Sequence, residues 1–171
     1  QTCALPIYPS LELSKRRLLD ELEFHTKGRG WTDIAYNYAI DQAGRTFELR
    51  GLAYRSAANG DANVNSQYLA VTFLIGTADT PSPLAIQAFT DLRRNTILSR
   101  YPAATKVVGH RDLYKTECPG GPLYALVKSG ALVTNPTVPE EDDMPSSAEV
   151  ASEVWNRFSV TTPEGKELKL Q

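Results

Sequence analysis

Two residues whose types and spacing could place them on one metal ion are His110 and Cys118, eight positions apart. A catalytic zinc ion commonly takes three ligands from such side chains and keeps a fourth position for water. The imidazole would bind in its neutral form and the cysteine as a thiolate. The ion would then polarise a carbonyl group and activate a water molecule near neutral pH. Spacing alone leaves two interpretations open, a zinc pair or two unrelated residues.

A second segment, residues 31–38, is rich in aromatic residues and reads Trp-Thr-Asp-Ile-Ala-Tyr-Asn-Tyr. Aromatic and β-branched residues are enriched in strands that are half buried. By itself this segment therefore indicates a strand that packs in a core.

The first element expected to position these segments is a helix over residues 14–26, with Ser14 as its N-cap. Gly28 and Gly30 would end this helix, because glycine readily adopts the conformation that follows a helix. Helical spacing predicts an apolar stripe that consists of Leu18, Leu19 and Leu22, with His25 one turn further on.

Strands and helices alternate beyond this helix, which predicts an α/β domain. Residues 34–40 and 46–49 flank a turn and are typical of a β-hairpin. Residues 68–75 form an almost continuous apolar run, which predicts a central buried strand. The other expected elements are a polar loop over residues 54–67, an amphipathic helix over 83–101, a short strand over 106–109 and a helix over 123–128.

The composition changes after residue 133. Residues 134–147 contain three prolines, an acidic run and serines, which is typical of a linker. We therefore expect one domain over residues 8–133, and the start of a second module or a tail over residues 148–171.

The first seven residues read as the translation of a common DNA-sequencing adapter in one frame, CAG ACG TGT GCT CTT CCG ATC. We expect residues 1–7 to be an artefact and exclude them from reasoning about the fold. An ordinary strand or loop is the alternative. The chain has two cysteines, so a Cys3–Cys118 disulfide is possible only if Cys3 is natural.

The distribution of charge excludes some partners. Residues 1–138 hold 15 basic and 12 acidic residues, whereas residues 139–171 hold 3 basic and 8 acidic ones. A mildly basic domain suits an anionic polymer such as a cell wall, but lacks the dense basic patch typical of nucleic-acid binding. No apolar run reaches the roughly 18 residues that span a bilayer. We expect neither nucleic acid nor membrane as a partner, and a monomer.

Taken together and in this order, the motifs resemble those of the peptidoglycan recognition protein and phage amidase family. That family shows Gly-Trp-x-Asp-Ile-Gly-Tyr-Asn-Phe, then Gly-His-Arg, then Thr-x-Cys-Pro-Gly. Here residues 30–38 read Gly-Trp-Thr-Asp-Ile-Ala-Tyr-Asn-Tyr, residues 109–111 read Gly-His-Arg, and residues 116–120 read Thr-Glu-Cys-Pro-Gly. Residues 48–51 read Glu-Leu-Arg-Gly where the family has Glu-Gly-Arg-Gly. The resemblance covers residues 11–130.

The resemblance implies roles for individual residues. His110 and Cys118 match two zinc ligands, and Tyr36 and Thr116 match residues that orient or polarise the scissile carbonyl group. Four further residues are candidates for substrate binding, although Trp31 suits a core position equally well and the others suit a solvated loop: Trp31, Arg50, Asn59 and Asn63.

The chain departs from the family's pattern at the third zinc ligand. In the family this ligand is a histidine in His-His-Thr, at the end of a first strand that precedes the first helix. Residues 1–13 contain no histidine, so we expect the domain to lack this strand and its ligand. His25 is followed by threonine, but its spacing to Trp31 matches a histidine late in the family's first helix. We interpret His25 as structural.

The resemblance implies an α/β fold in which helices flank a central mixed sheet, with a zinc cleft on one face. It implies a zinc-dependent amidase that cleaves peptidoglycan between N-acetylmuramic acid and L-alanine, with this chain weak or inactive because one ligand is missing. The alternative is a peptidoglycan-binding module without activity. A linker and a second module suggest a phage endolysin or a bacterial wall hydrolase acting at the cell wall.

Overall fold

The computed structural model describes residues 8–134 and the strand residues 160–161 and 167–168. The chain divides into two compact units, residues 1–137 and 138–171. The predictions for residues 1–7 and for most of the linker and tail lie outside the described residues. Among the described residues, no helix combines the length and the apolar character needed to cross a bilayer.

Helix α1 spans Leu11–Glu23 and continues into a π-helical turn at Phe24–Gly28. Its N-cap is Ser10, whose side chain accepts a hydrogen bond from the Leu13 amide, so the prediction of Ser14 as N-cap is wrong. Ser14 is buried within the helix and donates a hydrogen bond of 2.7 Å to Asp41. The predicted stripe is also wrong in one member, because Leu19 is exposed.

The predicted hairpin is confirmed by strands β1 (Tyr38–Ile40) and β2 (Thr46–Glu48), which pair antiparallel. The turn between them closes at Gly44, whose φ of +77° favours glycine. Strand β3 (Val71–Phe73) pairs parallel with β1, so the sheet is mixed and has the order β2-β1-β3.

Strand β3 lies at the edge of this sheet, so the prediction of a central strand at residues 68–75 is wrong for the described residues. The apolar character of the run is explained by packing rather than by two strand neighbours: Phe73 is buried and Leu69, Val71 and Ile75 pack against the core. Residues 106–109, predicted as a strand, are extended in part but join no described ladder.

The predicted polar loop over residues 54–67 contains helix α2 (Ala62–Gln67), which starts at the Asp61 N-cap. The predicted helix over residues 83–101 comprises α3 (Pro83–Leu92), a π-helical turn (Arg93–Ile97) and α4 (Leu98–Arg100). Helix α5 (Gly121–Ser129) confirms the last predicted helix and begins two residues earlier.

Helices pack on both faces of the sheet. Alternate residues of β1 point to opposite sides, so they belong to two different cores. Tyr38 and Ile40 belong to a core with residues of α3 and α5, including Phe89 and Leu123. Ala39 belongs to a second core with Leu18 of α1, Ile34 and, at its margin, Tyr36. In the second unit, β4 (Val160–Thr161) and β5 (Glu167–Leu168) pair antiparallel.

Candidate active site

Strand β3 with its flanking residues, the segment after residue 106, the first helix and Tyr36 together line a cavity of about 310 Å³. Among the polar residues that line it are Glu21, Tyr36, Asn59, His110 and Cys118. The structure therefore brings both predicted zinc ligands and the predicted Tyr36 to one concave surface.

His110 begins a 3₁₀ turn (His110–Asp112) for which Gly109 is the N-cap. Its Nε2 atom is buried and has no hydrogen-bond partner among the described residues. Burial lowers the pKa of the imidazole below its ordinary value, because removing the ring from water disfavours the charged form. The neutral imidazole with one unengaged nitrogen is the form that binds a metal ion.

Cys118 is a free thiol, and its backbone is hydrogen-bonded to Arg111, the residue that follows His110. The Arg111 amide donates a hydrogen bond of 3.1 Å to the Cys118 carbonyl oxygen, and the Cys118 amide donates one of 3.2 Å to the Thr116 hydroxyl. Cys118 is exposed as a residue, but desolvation of the thiol by its neighbours raises its pKa, and the positive charge of Arg111 opposes this shift. A bound cation would add to the effect of Arg111 and favour the thiolate.

Tyr36 directs its hydroxyl group towards Glu21, whose Oε1 atom lies 3.5 Å away. Burial, the charge of Glu21 and the Cys118 thiol together raise the pKa of Tyr36 to about 12. The hydroxyl group therefore stays protonated at neutral pH and can act as a hydrogen-bond donor at the cavity.

Tyr114 was not identified from the sequence, yet its ring stacks on the His110 imidazole, with centroids 5.7 Å apart and planes 16° apart. Gly60, at a φ of +70°, allows this position: a Cβ atom there would approach the Tyr114 ring to 2.7 Å. Gly60 and Tyr114 are far apart in sequence, so no local pattern signals their contact.

The remaining predicted site residues occupy different surroundings. Asn59 lines the cavity but is buried, with its side chain donating to Ser56. Arg50 donates to backbone carbonyl groups of residues 33, 34 and 55. Asn63 lies in the first turn of α2, and the partly exposed Trp31 stacks on His25.

His25 is buried, and both of its ring nitrogens have neighbours. Nδ1 accepts a hydrogen bond of 3.3 Å from the Ala35 amide, and Nε2 lies 3.5 Å from Glu21. These contacts support the interpretation of His25 as structural. Within the described part of the chain, no three histidine, cysteine or acidic side chains come close enough to hold a metal ion together.

Two donors of the kinds that zinc prefers thus share the cavity, one with an unengaged buried nitrogen and the other with a free thiol. These residues fit a zinc ion as two of the three ligands that a catalytic site requires.

The sequence of this domain matches a known protein family. Residues 12–121 match the model of the N-acetylmuramoyl-L-alanine amidase family, Amidase_2. The chain belongs to this family. The matched residues include all the candidate site residues of the N-acetylmuramoyl-L-alanine amidase domain, from Trp31 to Cys118.

Animal proteins are among the relatives of this chain. The chain is 32% identical over 114 residues to the N-acetylmuramoyl-L-alanine amidase of Sus scrofa, and 31% identical over 112 residues to peptidoglycan recognition protein 1 of Mus musculus. Each match covers 62% of this chain, but 18% of the pig protein and 59% of the mouse protein. The chain therefore spans less than two thirds of these relatives.

Solved structures confirm the expected fold. Peptidoglycan recognition protein LB of Drosophila superimposes with a TM-score of 0.66 at 26% identity, covering 80% of this chain and 81% of that one. The ectodomain complex of peptidoglycan recognition proteins LCa and LCx, bound to tracheal cytotoxin, gives 0.64 at 29% identity, covering 75% and 76%. This amidase-family chain has the α/β fold of those proteins.

Proposed function

We propose that the domain is the catalytic part of a zinc-dependent peptidoglycan amidase, which hydrolyses the amide between N-acetylmuramic acid and the L-alanine of the stem peptide. The observation that carries this proposal is the buried Nε2 atom of His110, which has no hydrogen-bond partner in the part of the chain that the structure describes and lies in the cavity that Cys118 also lines. A buried polar atom without a partner is costly, so its retention argues for a ligand.

The residues of the cavity have separate roles in this proposal. His110 and Cys118 would hold the ion, which would supply an activated water molecule and polarise the scissile carbonyl group. Tyr36, protonated at neutral pH, would donate a hydrogen bond to the carbonyl oxygen as negative charge develops on it. Thr116 would act through Cys118, because its hydroxyl group accepts the Cys118 amide hydrogen.

Peptidoglycan is the proposed substrate because of the family and because related structures, such as the complex of proteins LCa and LCx, hold the peptidoglycan fragment tracheal cytotoxin. Asn59 is the one predicted substrate-binding residue on the cavity wall. Contacts of Trp31, Arg50 and Asn63 with the glycan or peptide stay predictions, as do the phage or bacterial source and the monomeric state.

A gap beside the sheet supports a position for the proposed third ligand. Residues 68–75 and 107–110 both line the cavity next to His110, and residues 65–69 and 103–108 both line a second cavity of about 740 Å³. The two segments therefore run in the same direction and border one gap, with unpaired backbone on both sides among the described residues. A strand in this gap would complete the sheet.

We therefore propose that the amidase domain lies within residues 8–133 and lacks one strand. A residue at the end of that strand nearest His110 would supply the third ligand. The proposed linker over residues 134–147 and second module from residue 148 complete this organisation.

A second candidate function is peptidoglycan binding without hydrolysis. This candidate is favoured by the number of candidate ligands. The described residues bring no three such side chains together, whereas a catalytic zinc ion needs three. Residues that position the polymer would act without the ion.

The test is digestion of purified peptidoglycan with added zinc, with new L-alanine amino termini scored by mass spectrometry. Two proteins are compared: the chain itself, and a version with a strand ending in His-His-Thr joined before Ser10. Activity in the second protein alone supports the amidase with a missing strand. A folded second protein that binds the wall but releases no L-alanine termini overturns the amidase and favours the binding module.

A matched control is His110→Ala in the extended version. Loss of activity in this control assigns the hydrolysis to the proposed site. Activity in the chain itself would mean that the domain finds a third ligand without the added strand.

A further inference from the structure

Tyr124 of helix α5 packs directly against the residue that precedes the candidate ligand His110. A Cβ atom at Gly109 would approach Cδ2 of the Tyr124 ring to 2.7 Å, so the glycine is needed for this contact. Gly109 is buried, and the ring of Tyr124 is partly so. The ring therefore fixes where the backbone enters the 3₁₀ turn of His110.

The hydroxyl group of Tyr124 makes a second contact with the same turn. It donates a hydrogen bond of 2.6 Å to Oδ1 of Asp112, whose other oxygen accepts the Gly109 amide hydrogen at 2.9 Å. Asp112 thus closes the 3₁₀ turn across His110, and Tyr124 holds the carboxylate in the orientation that does so. A hydrogen bond to a charged acceptor is stronger than one between neutral groups.

A third contact reaches towards Cys118. The Arg111 guanidinium lies 4.7 Å from the centroid of the Tyr124 ring and also donates to the Glu117 carbonyl oxygen. The Arg111 amide donates to the Cys118 carbonyl oxygen at 3.1 Å. Tyr124 therefore contacts Gly109 and Arg111, the residues on both sides of His110, and Arg111 is hydrogen-bonded to Cys118.

We propose that Tyr124 is a positioning residue, which acts through Asp112 and Arg111 to hold His110 and Cys118 in the relative geometry that a metal ion requires. The inference deepens the proposed function and rests on it. Tyr124 does not line the cavity, so it acts through its neighbours and touches neither substrate nor metal. Partners that orient metal ligands commonly change metal affinity when they are removed.

The variant that tests this is Tyr124→Phe, which removes the hydroxyl group and keeps the ring against Gly109 and Arg111. The matched control is Tyr101→Phe, which removes a hydroxyl group that donates to the Leu52 carbonyl at 3.1 Å, away from the cavity. Asp112→Asn is a second variant, at an exposed position. It replaces one of the two accepting oxygens by an amide nitrogen, which only donates, so one of the two hydrogen bonds is lost.

The first measurement is titration of each protein with Co²⁺, following the thiolate-to-cobalt absorption band. We expect Tyr124→Phe and Asp112→Asn to weaken cobalt binding about tenfold or more, and Tyr101→Phe to match the parent chain. Equal affinities in all four proteins would overturn the positioning role. If the version extended by the His-His-Thr strand gives no band dependent on Cys118, the proposed zinc chemistry is overturned instead.

The second measurement needs no metal, and so decides the role of Tyr124 even if the proposed function fails. Hydrogen–deuterium exchange is followed in peptides that cover residues 109–118. We expect Tyr124→Phe to accelerate exchange there, chiefly at the amides of Gly109 and Arg111, and to leave the peptide over β1 unchanged. Unchanged exchange in residues 109–118 would overturn the proposal, as would acceleration spread over the whole domain.

Discussion

The main-chain amide of Arg111 donates a hydrogen bond of 3.1 Å to the carbonyl oxygen of Cys118. This bond closes the loop that separates His110 from Cys118, so the backbone that carries these two cavity-lining residues is fixed without an ion. A site formed in advance loses less conformational entropy on binding. The loop over residues 110–118, and not the sheet alone, therefore determines where His110 and Cys118 lie relative to each other.

The first prediction concerns this pair. Cys118→Ser keeps the shape of the side chain but removes the thiolate, so zinc affinity in the chain should fall by about 100-fold or more, since thiolate is the stronger ligand. Competition with a chromophoric chelator measures the affinity. The control is Lys115→Gln, because Lys115 is an exposed residue of the same loop. Equal zinc affinities in both variants would show that Cys118 is no ligand.

The second prediction concerns the contact of Gly60 with Tyr114. Gly60→Ala should destabilise the domain by about 2 kcal/mol or more, because a left-handed backbone and a clash add together. Gly30→Ala is the control: Gly30 has a φ of +68° but nothing within 4 Å of its position for Cβ, so about 1 kcal/mol is expected. Urea unfolding measures both.

The same pair has a local consequence. Displacing Tyr114 should unstack it from His110, which would move the NMR signals of the His110 imidazole in Gly60→Ala but not in Gly30→Ala. Identical stabilities and identical His110 signals in the two variants would contradict the contact.

The third prediction concerns the buried Asp41, which joins α1 to the hairpin turn. Its carboxylate accepts hydrogen bonds from the Ser14 hydroxyl and the Arg45 side chain, each at 2.7 Å. Asp41→Asn should therefore cost about 2–4 kcal/mol of unfolding free energy, because a buried partner of Arg45 loses its charge. The control, Asp20→Asn, breaks an exposed pair with Arg16 and should cost under about 1 kcal/mol. A similar loss of unfolding free energy in both variants would show that Asp41 does not stabilise the junction of α1 with the hairpin turn.

Local patterns predicted what neighbours in sequence decide. The hairpin at residues 38–48 follows from a turn between two apolar segments, and α3 follows from helical spacing after Pro83. Both the mixed sheet and the meeting of His110 with Tyr36 came from the family resemblance. Sequence spacing alone did not decide whether the sheet is mixed, and it left two interpretations open for His110 and Cys118.

What failed depends on contacts between distant residues. Ser10 and Ser14 are equally good N-caps by type, and the choice is decided by Asp41, which lies 27 positions from Ser14 and accepts its hydroxyl hydrogen. Tyr114 and Tyr124 were missed for the same reason. Their partners at Gly60 and Asp112 are recognised only when the loops are in place, since a glycine's role depends on what approaches it.

The last prediction concerns the pH dependence of stability. Burial lowers the pKa of His25 below its ordinary value of 6.5, against the opposing charge of Glu21. Below pH 6.5 the unfolded chain therefore binds a proton that the folded chain refuses, so stability is complete above this pH and falls as the pH decreases towards the folded-state pKa, by at most about 1.4 kcal/mol per pH unit.

His25→Asn tests this, because its carbonyl oxygen can replace Nδ1 as acceptor of the Ala35 amide and it does not titrate. Urea unfolding at pH 7.5 and pH 5.5 should show a smaller loss of stability in this variant than in the parent chain. The chain's second histidine, His110, also has a lowered pKa, so His110→Ala should keep the share of the pH dependence that belongs to His25. If His25→Asn loses as much stability on acidification as the parent chain does, the buried imidazole is not the group that the folded state keeps neutral, and the pH dependence belongs to another residue.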